Sequence, residues 1–146
     1  MKKLLLITAI LISLLSTGYN LASTNNPIKV FHSYDYQTIV KNKTKPFVMM
    51  FWSIDCSPCL SEMRKISTLS ANEKKKFVFI STDGHELKKE IGNLLHQLDL
   101  ENENNWVFNS NDIDEIISVI DKRWYGETPR SYYFDKKNHR TLLKNH

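Results

Sequence analysis

Phe47-Val48-Met49-Met50-Phe51-Trp52-Ser53-Ile54-Asp55-Cys56-Ser57-Pro58-Cys59 is the stretch that decides the fold. Six apolar residues in succession, Phe47 to Trp52, lack the alternation of a half-exposed strand. They suit a strand in the middle of a sheet covered on both faces. After a short polar link the chain reaches two cysteines separated by two residues, and then Leu60, Met63, Ile66 and Leu69 or Ser70 repeat at spacings of three. That spacing predicts a helix from near Cys56 to about Leu69, with the stripe facing the core. A strand that delivers two thiols to the start of a helix makes a dithiol able to close into a disulfide and reopen.

Cys56 and Cys59 are the only cysteines in the 146 residues, and other uses of such a pair compete with redox chemistry. A structural disulfide closing a four-residue loop removes little chain entropy, about 2 kcal/mol, so stability alone is a poor motive. A closed structural zinc site needs four ligands, and no second Cys pair or Cys/His pair follows at metal spacing. His85, His96 and His139 are scattered and read as solvated surface residues, so no metal is expected. A chance pair of buried thiols stays open at this point.

Met1-Lys2-Lys3 followed by the largely apolar stretch Leu4 to Leu15 reads as an export signal, with small residues at Ser16-Thr17-Gly18 and Leu21-Ala22 suited to cleavage. The stretch falls short of the roughly 20 residues that span a bilayer comfortably. The expectation is a signal peptide over residues 1–22, with a membrane tether as the alternative, and one domain over 23–146. An exported chain works where disulfides persist, so the pair would rest oxidised unless something reduces it.

About 124 residues are enough for one domain with a proper core. The formal net charge is +4, and Lys2 and Lys3 belong to the leader, so the remainder is close to neutral. That is no nucleic-acid signature; the lysines at 41, 43, 45 and 74 to 76 read as solubilising loop charges. Outward from the central strand, Ile28 to Phe31 reads as a first strand and Ser33 as the N-cap of a helix to about Lys41. Phe77 to Ile80 reads as a second buried strand closed by a turn at Asp83-Gly84, and Glu86 to Leu98 as a helix with Leu87, Ile91, Leu94, Leu95 and Leu98 on one face. A polar loop at 101–105, a strand at Trp106-Val107-Phe108 and a helix from Asp112 to Trp124 follow. Tyr132-Tyr133-Phe134, a turn at 135–139 and Thr141-Leu142-Leu143 make a terminal hairpin. Strands alternating with helices and closing in a hairpin predict an α/β sandwich with a central mixed sheet.

Phe51-Trp52-Ser53-Ile54-Asp55-Cys56-Ser57-Pro58-Cys59-Leu60-Ser61-Glu62 resembles the active-site segment of exported thioredoxin-like proteins of the TlpA/ResA type. Gly126-Glu127-Thr128-Pro129-Arg130-Ser131-Tyr132-Tyr133-Phe134-Asp135 resembles their cis-proline loop and following strand. The spacing between the two leaves room for the extra strand and helix of that family, so the resemblance covers nearly the whole chain after the leader. It implies a thioredoxin-like fold and an exported thiol:disulfide oxidoreductase, most simply a reductase of protein disulfides. It further implies no bound cofactor, a membrane-embedded electron donor, and cytochrome c apoprotein as one substrate class; the chain is expected to be a monomer.

By the same resemblance Cys56 is the nucleophile, Cys59 resolves the mixed disulfide, and Glu62 is a partly buried acid that raises the thiol pKa and moves protons. Thr128 and Pro129 bind substrate, Pro129 as a cis-proline beside the dithiol and Thr128 through its backbone. Pro58 and Trp52 tune the site. Asp55 stands where relatives usually carry Trp, so its charge is expected to oppose thiolate formation and favour a reducing protein. Arg64 replaces a helix-kinking proline, which predicts a straighter helix. The sequence reaches His146 soon after its last strand, so the expected sheet lacks the family's usual last helix. Three other functions stay open: a dithiol oxidase, a periplasmic copper-binding chaperone using the two soft thiolates, and a redox-inactive thioredoxin-like binding module.

Overall fold

A computed structural model of the chain describes residues 27–144; the expected leader lies outside them. Six strands form one sheet: β1 Lys29–Phe31, β2 Phe47–Trp52, β3 Phe77–Gly84, β4 Asn104–Phe108, β5 Arg130–Phe134 and β6 Arg140–Leu143. Their order across the sheet is β1-β4-β3-β2-β5-β6. The first four in that order are mutually parallel, and β5 and β6 continue antiparallel from β2. The parallel connections run through helices α1 Ser33–Asn42, α2 Ser57–Ser67 and α4 Lys88–Gln97, with α5 Ile113–Ile120 between β4 and β5 and a single turn, α3 Ala71–Lys74, after α2.

The unbroken apolar run of β2 is explained by two cores. Phe47, Met49 and Phe51 point to one face, where Tyr36 and Ile39 of α1 and Ile116 and Ile120 of α5 cover them. Met50 and Trp52 point to the other, where Cys59, Met63 and Ile66 of α2 meet Ile91 and Leu95 of α4. The period-two alternation of a strand thus splits one hydrophobic run between two layers. Across the first layer Phe47 stacks on its antiparallel neighbour Phe134 at 4.7 Å between ring centres, and Phe51 packs against Trp124 at 4.8 Å. Removing a fully buried ring of this kind costs about 3–5 kcal/mol.

Several boundaries differ from the sequence reading. His32, not Ser33, is the N-cap of α1: it holds an extended backbone, and Asp35 reaches back to accept its N–H at 2.8 Å. Helix α2 ends at Ser67, which leaves Leu69 exposed, outside the core stripe. Strand β3 does not stop before Asp83-Gly84 but runs through them, because its end stays paired with β4, with Gly84 opposite Phe108 past a bulge. Strand β4 begins two residues early, at Asn104, and α5 ends at Ile120 rather than near Trp124. Leu100, in the stretch between helix and strand, is fully buried after its N–H turns back to the Leu95 carbonyl.

Candidate active site

At the carboxyl end of β2 the chain turns through Ser53, Ile54 and Asp55 and enters α2 at Cys56. Cys56 is the N-cap residue, with extended backbone, and its Sγ accepts the Cys59 N–H at 3.2 Å. Sulfur takes the place of the side-chain oxygen that usually satisfies a free amide at a helix start. Pro58 sits in the first turn, where a missing N–H costs nothing and its fixed φ suits the helix. Cys56 and Cys59 are joined in a disulfide with Cα atoms 5.2 Å apart. The two sulfurs differ in access: Cys56 is half-buried, whereas Cys59 is 0% exposed, one turn inside and packed with Trp52 and Met63. The positive end of the helix and the Cys59 amide favour negative charge on Cys56.

Facing the start of α2 is the loop that leads into β5. Gly126 adopts φ 93°, a left-handed conformation that other residues resist, and the chain then passes through a cis Thr128–Pro129 peptide. Pro129 shares an open cleft of about 640 Å³ with Pro58, Ser61, Glu62 and Lys65 of α2 and with Leu143 and Lys144 at the end of β6. Glu62 is half-buried in that cleft. Burial pushes its carboxyl up from the ordinary value, and Lys65 one turn on partly offsets the shift.

The entry to β5 is fixed by a network that sequence reading did not find. Asp121, whose side chain is 8% exposed, accepts the Arg130 guanidinium at 3.0 Å, the Tyr132 hydroxyl at 2.9 Å and the Arg123 N–H at 3.0 Å. Arg130 also bonds Glu127 at 2.7 Å, and Trp124 donates its indole N–H to the Glu127 carbonyl at 2.8 Å. The residues on either side of Thr128–Pro129 are thereby tied to the end of α5. The backbone amide of Arg123 first, and then Tyr132 and Arg130, hold the Asp121 carboxyl down to about 2 against the opposing effect of burial.

A second missed residue is Asp83, which sequence reading treats as turn chemistry. Its carboxylate accepts the Ile54 N–H at 2.9 Å, the Ser53 hydroxyl at 3.0 Å and the Ser81 hydroxyl at 2.6 Å. Thr82 beside it donates to the Trp52 carbonyl at 3.3 Å. The signal available in sequence is Ser81-Thr82-Asp83, three short polar side chains at the end of a buried parallel strand.

Of the residues singled out from sequence, Cys56, Cys59, Pro58, Glu62 and Pro129 come together at this end of the sheet, with Thr128 half-buried beside Pro129. Trp52 is 1% exposed and lies in the core cluster that contains Cys59, its indole N–H without a hydrogen-bond partner among the described residues. Asp55 is exposed; its N–H points to the Ser53 hydroxyl at 3.4 Å, and no hydrogen bond among the described residues joins its carboxylate to Cys56. Among the described residues no three His, Cys, Asp or Glu side chains are grouped as a cation site, and no helix is long and apolar enough to cross a membrane.

No protein-family model and no curated protein matches the sequence. Solved structures do. A thiol:disulfide interchange protein from Bacteroides sp. superimposes with a TM-score of 0.51 at 18% identity, over 73% of this chain and 70% of its own. The fold is thioredoxin-like. The thioredoxin domain of a thiol-disulfide oxidoreductase from Bacteroides vulgatus gives a TM-score of 0.48 at 19% identity, covering 67% of this chain and 68% of its own. A secreted disulfide oxidoreductase from Mycobacterium tuberculosis, homologous to E. coli DsbE, gives 0.49 at 17% identity over 70% and 69%. The α/β sandwich and central mixed sheet expected from sequence are those of this fold.

Proposed function

We propose that this protein is an exported thiol:disulfide oxidoreductase that reduces disulfides in other proteins. One observation carries the reading: a CxxC disulfide at a helix N-terminus whose first cysteine is half-buried and whose second is fully buried, with Pro58 between them sharing a cleft with cis Pro129. The thiol:disulfide interchange activity in the name of the Bacteroides neighbour supports the same chemistry. In the reduced protein the Cys56 thiolate attacks one sulfur of a substrate disulfide. A mixed disulfide forms, and the first substrate thiolate leaves. Cys59, losing its proton, then attacks the Cys56 sulfur; the intramolecular disulfide forms and the second substrate thiolate leaves. Two electrons pass to the substrate, and an external dithiol, here a membrane-embedded donor, returns them by the reverse exchange. Glu62, half-buried one turn beyond Cys59, is suited to take the Cys59 proton. The backbone of Thr128 offers an extended substrate segment a strand-like contact.

The reducing direction is the one the resemblance implies, exposed Asp55 beside Cys56 works weakly in the same sense by disfavouring thiolate, and cytochrome c apoprotein is the substrate class to try first. Export rests on the leader-like residues 1–22. Equilibration of the purified domain with glutathione buffers tests the reading. The expected potential lies toward the reducing end of the roughly −270 to −120 mV range of dedicated oxidoreductases. A value near the upper limit overturns the reductase assignment in favour of a dithiol oxidase, and failure to form the bridge reversibly removes redox function.

A further inference from the structure

We infer that Asp83 is a positioning residue for the Cys56 nucleophile, acting through the loop that joins β2 to α2; the inference rests on the dithiol reading above. Asp83 lies in β3, about 30 positions from the loop in sequence, yet the parallel pairing of β2 with β3 brings its carboxylate beneath that loop. Everything that points at it is a donor: the Ser53 hydroxyl on Oδ1, and the Ile54 N–H and the Ser81 hydroxyl on Oδ2. An ionised carboxylate is the side chain that accepts on both oxygens and donates on neither.

The clamp reaches Cys56 in one further step. The Ser53 carbonyl accepts the Cys56 N–H at 3.1 Å, and the Ser53 hydroxyl, held by Asp83, also meets the Asp55 N–H at 3.4 Å. Ser53 is therefore the joint: its side chain is fixed to β3 and its backbone fixes the residue that caps α2. The Ile54 amide is committed to Asp83, so it cannot swing toward the sulfur. The amide that caps Cys56 Sγ is that of Cys59. Asp83 thus sets where the sulfur sits relative to the helix end and to the Pro129 loop, without touching the reacting atoms itself.

The experiment compares reduced wild type, Asp83→Ala, Asp83→Asn and Ser53→Ala by the rate of exchange with a small aromatic disulfide, and by the pH midpoint of Cys56 alkylation with iodoacetamide. A misplacement on the order of 1 Å is enough to slow a positioned reaction up to about 100-fold, so Asp83→Ala is expected to exchange roughly tenfold more slowly and Ser53→Ala roughly threefold. Both midpoints should move upward, because a loosened N-cap no longer presents the Cys59 amide to the thiolate. Asp83→Asn should recover most of the rate, since its carbonyl can keep the Ile54 N–H while the Ser53 hydroxyl rotates to accept. Wild-type rate and midpoint in Asp83→Ala overturn the inference. An Asn variant as slow as the Ala variant also overturns it, by assigning the effect to charge. Should Asp83→Ala fail to fold, wild-type rate and midpoint in Ser53→Ala overturn it alone. A wild type inert toward the disulfide refutes the dithiol reading instead.

Discussion

Replacing Asp121 by Asn should destabilise the protein by about 2 kcal/mol at neutral pH, and that loss should vanish in acid. The carboxyl titrates at about 2 in the fold against an ordinary 3.8, and each unit of difference is worth about 1.36 kcal/mol. A depressed carboxylate stabilises the fold at every pH above its ordinary value. The contribution is lost as pH falls from near 4 toward 2, where the folded state must also take up the proton. Wild type and variant should accordingly differ by a constant amount from pH 5 to 7, converge below pH 4, and lie within about 0.4 kcal/mol of each other near pH 2. For a domain of roughly 120 residues the neutral-pH difference corresponds to a melting temperature lower by about 10 °C. Urea unfolding followed by circular dichroism at pH 7, 5, 4, 3 and 2.5 measures it. A gap that stays constant through acid would refute the reasoning. It would mean that the Asn variant loses packing or hydrogen-bond geometry rather than the ionised partner of Arg130 and Tyr132.

Three more outcomes are expected. Cys59→Ser should accumulate mixed disulfides through Cys56 with exported proteins, seen on non-reducing gels after affinity capture, and Cys56→Ser should trap few; equal trapping contradicts the assigned roles. Asp55→Asn should ease ionisation of Cys56 and make the protein slightly more oxidising, by a small amount because the carboxylate is exposed and salt screens it; thiolate absorbance at two ionic strengths reads this, and an effect independent of salt contradicts it. Glu62→Gln should gain stability over wild type as pH rises above about 4.5, since burial makes ionising Glu62 costly in the fold, and should show none of that gain at pH 3; thermal melts across that range decide it.

What was legible in the sequence was mostly what periodicity and covalent chemistry write locally. Phe47 to Trp52 reads as a doubly covered strand, and the two cores take five of its six residues, with Val48 half-buried. The helix read from Glu86 to Leu98 is also legible, because Ile91 and Leu95 bury one face of it; the structure starts it at Lys88, after a 3-10 turn over His85–Leu87. What escaped depends on partners distant in the chain. Asp83-Gly84 looks like a turn until β4 pairs beside it and extends the strand, and the role of the Asp83 carboxylate shows only once Ser53 and Ile54 reach it. Asp121, inside a helix expected to reach Trp124, carries no signal of its own until α5 ends at Ile120 and β5 brings Arg130 and Tyr132 against it. Spacing alone puts Leu69 or Ser70 in the core stripe, but α2 stops at Ser67 and the stripe stops with it. The single turn α3 carries a readable cap, Ser70 followed by Glu73 three residues on, which is too short a signal to stand out among exposed polar residues.

Strand β6 is unlike the other five in how it is held. All four of its residues are exposed, and no strand among the described residues pairs its outer edge. Besides the ladder to β5 it has Arg140, which crosses to the Tyr36 hydroxyl at 2.9 Å, to the Ile120 carbonyl, and over the Tyr132 ring at 4.7 Å. With so little apolar burial, this edge is where native-state opening should begin, and its amides should exchange with deuterium well before those of β2 and β3. Strand β5 stays paired with β2 when β6 frays, so Pro129 keeps its anchor while Leu143 and Lys144 swing away. One wall of the cleft is then a low-stability edge and the other a fixture of the sheet.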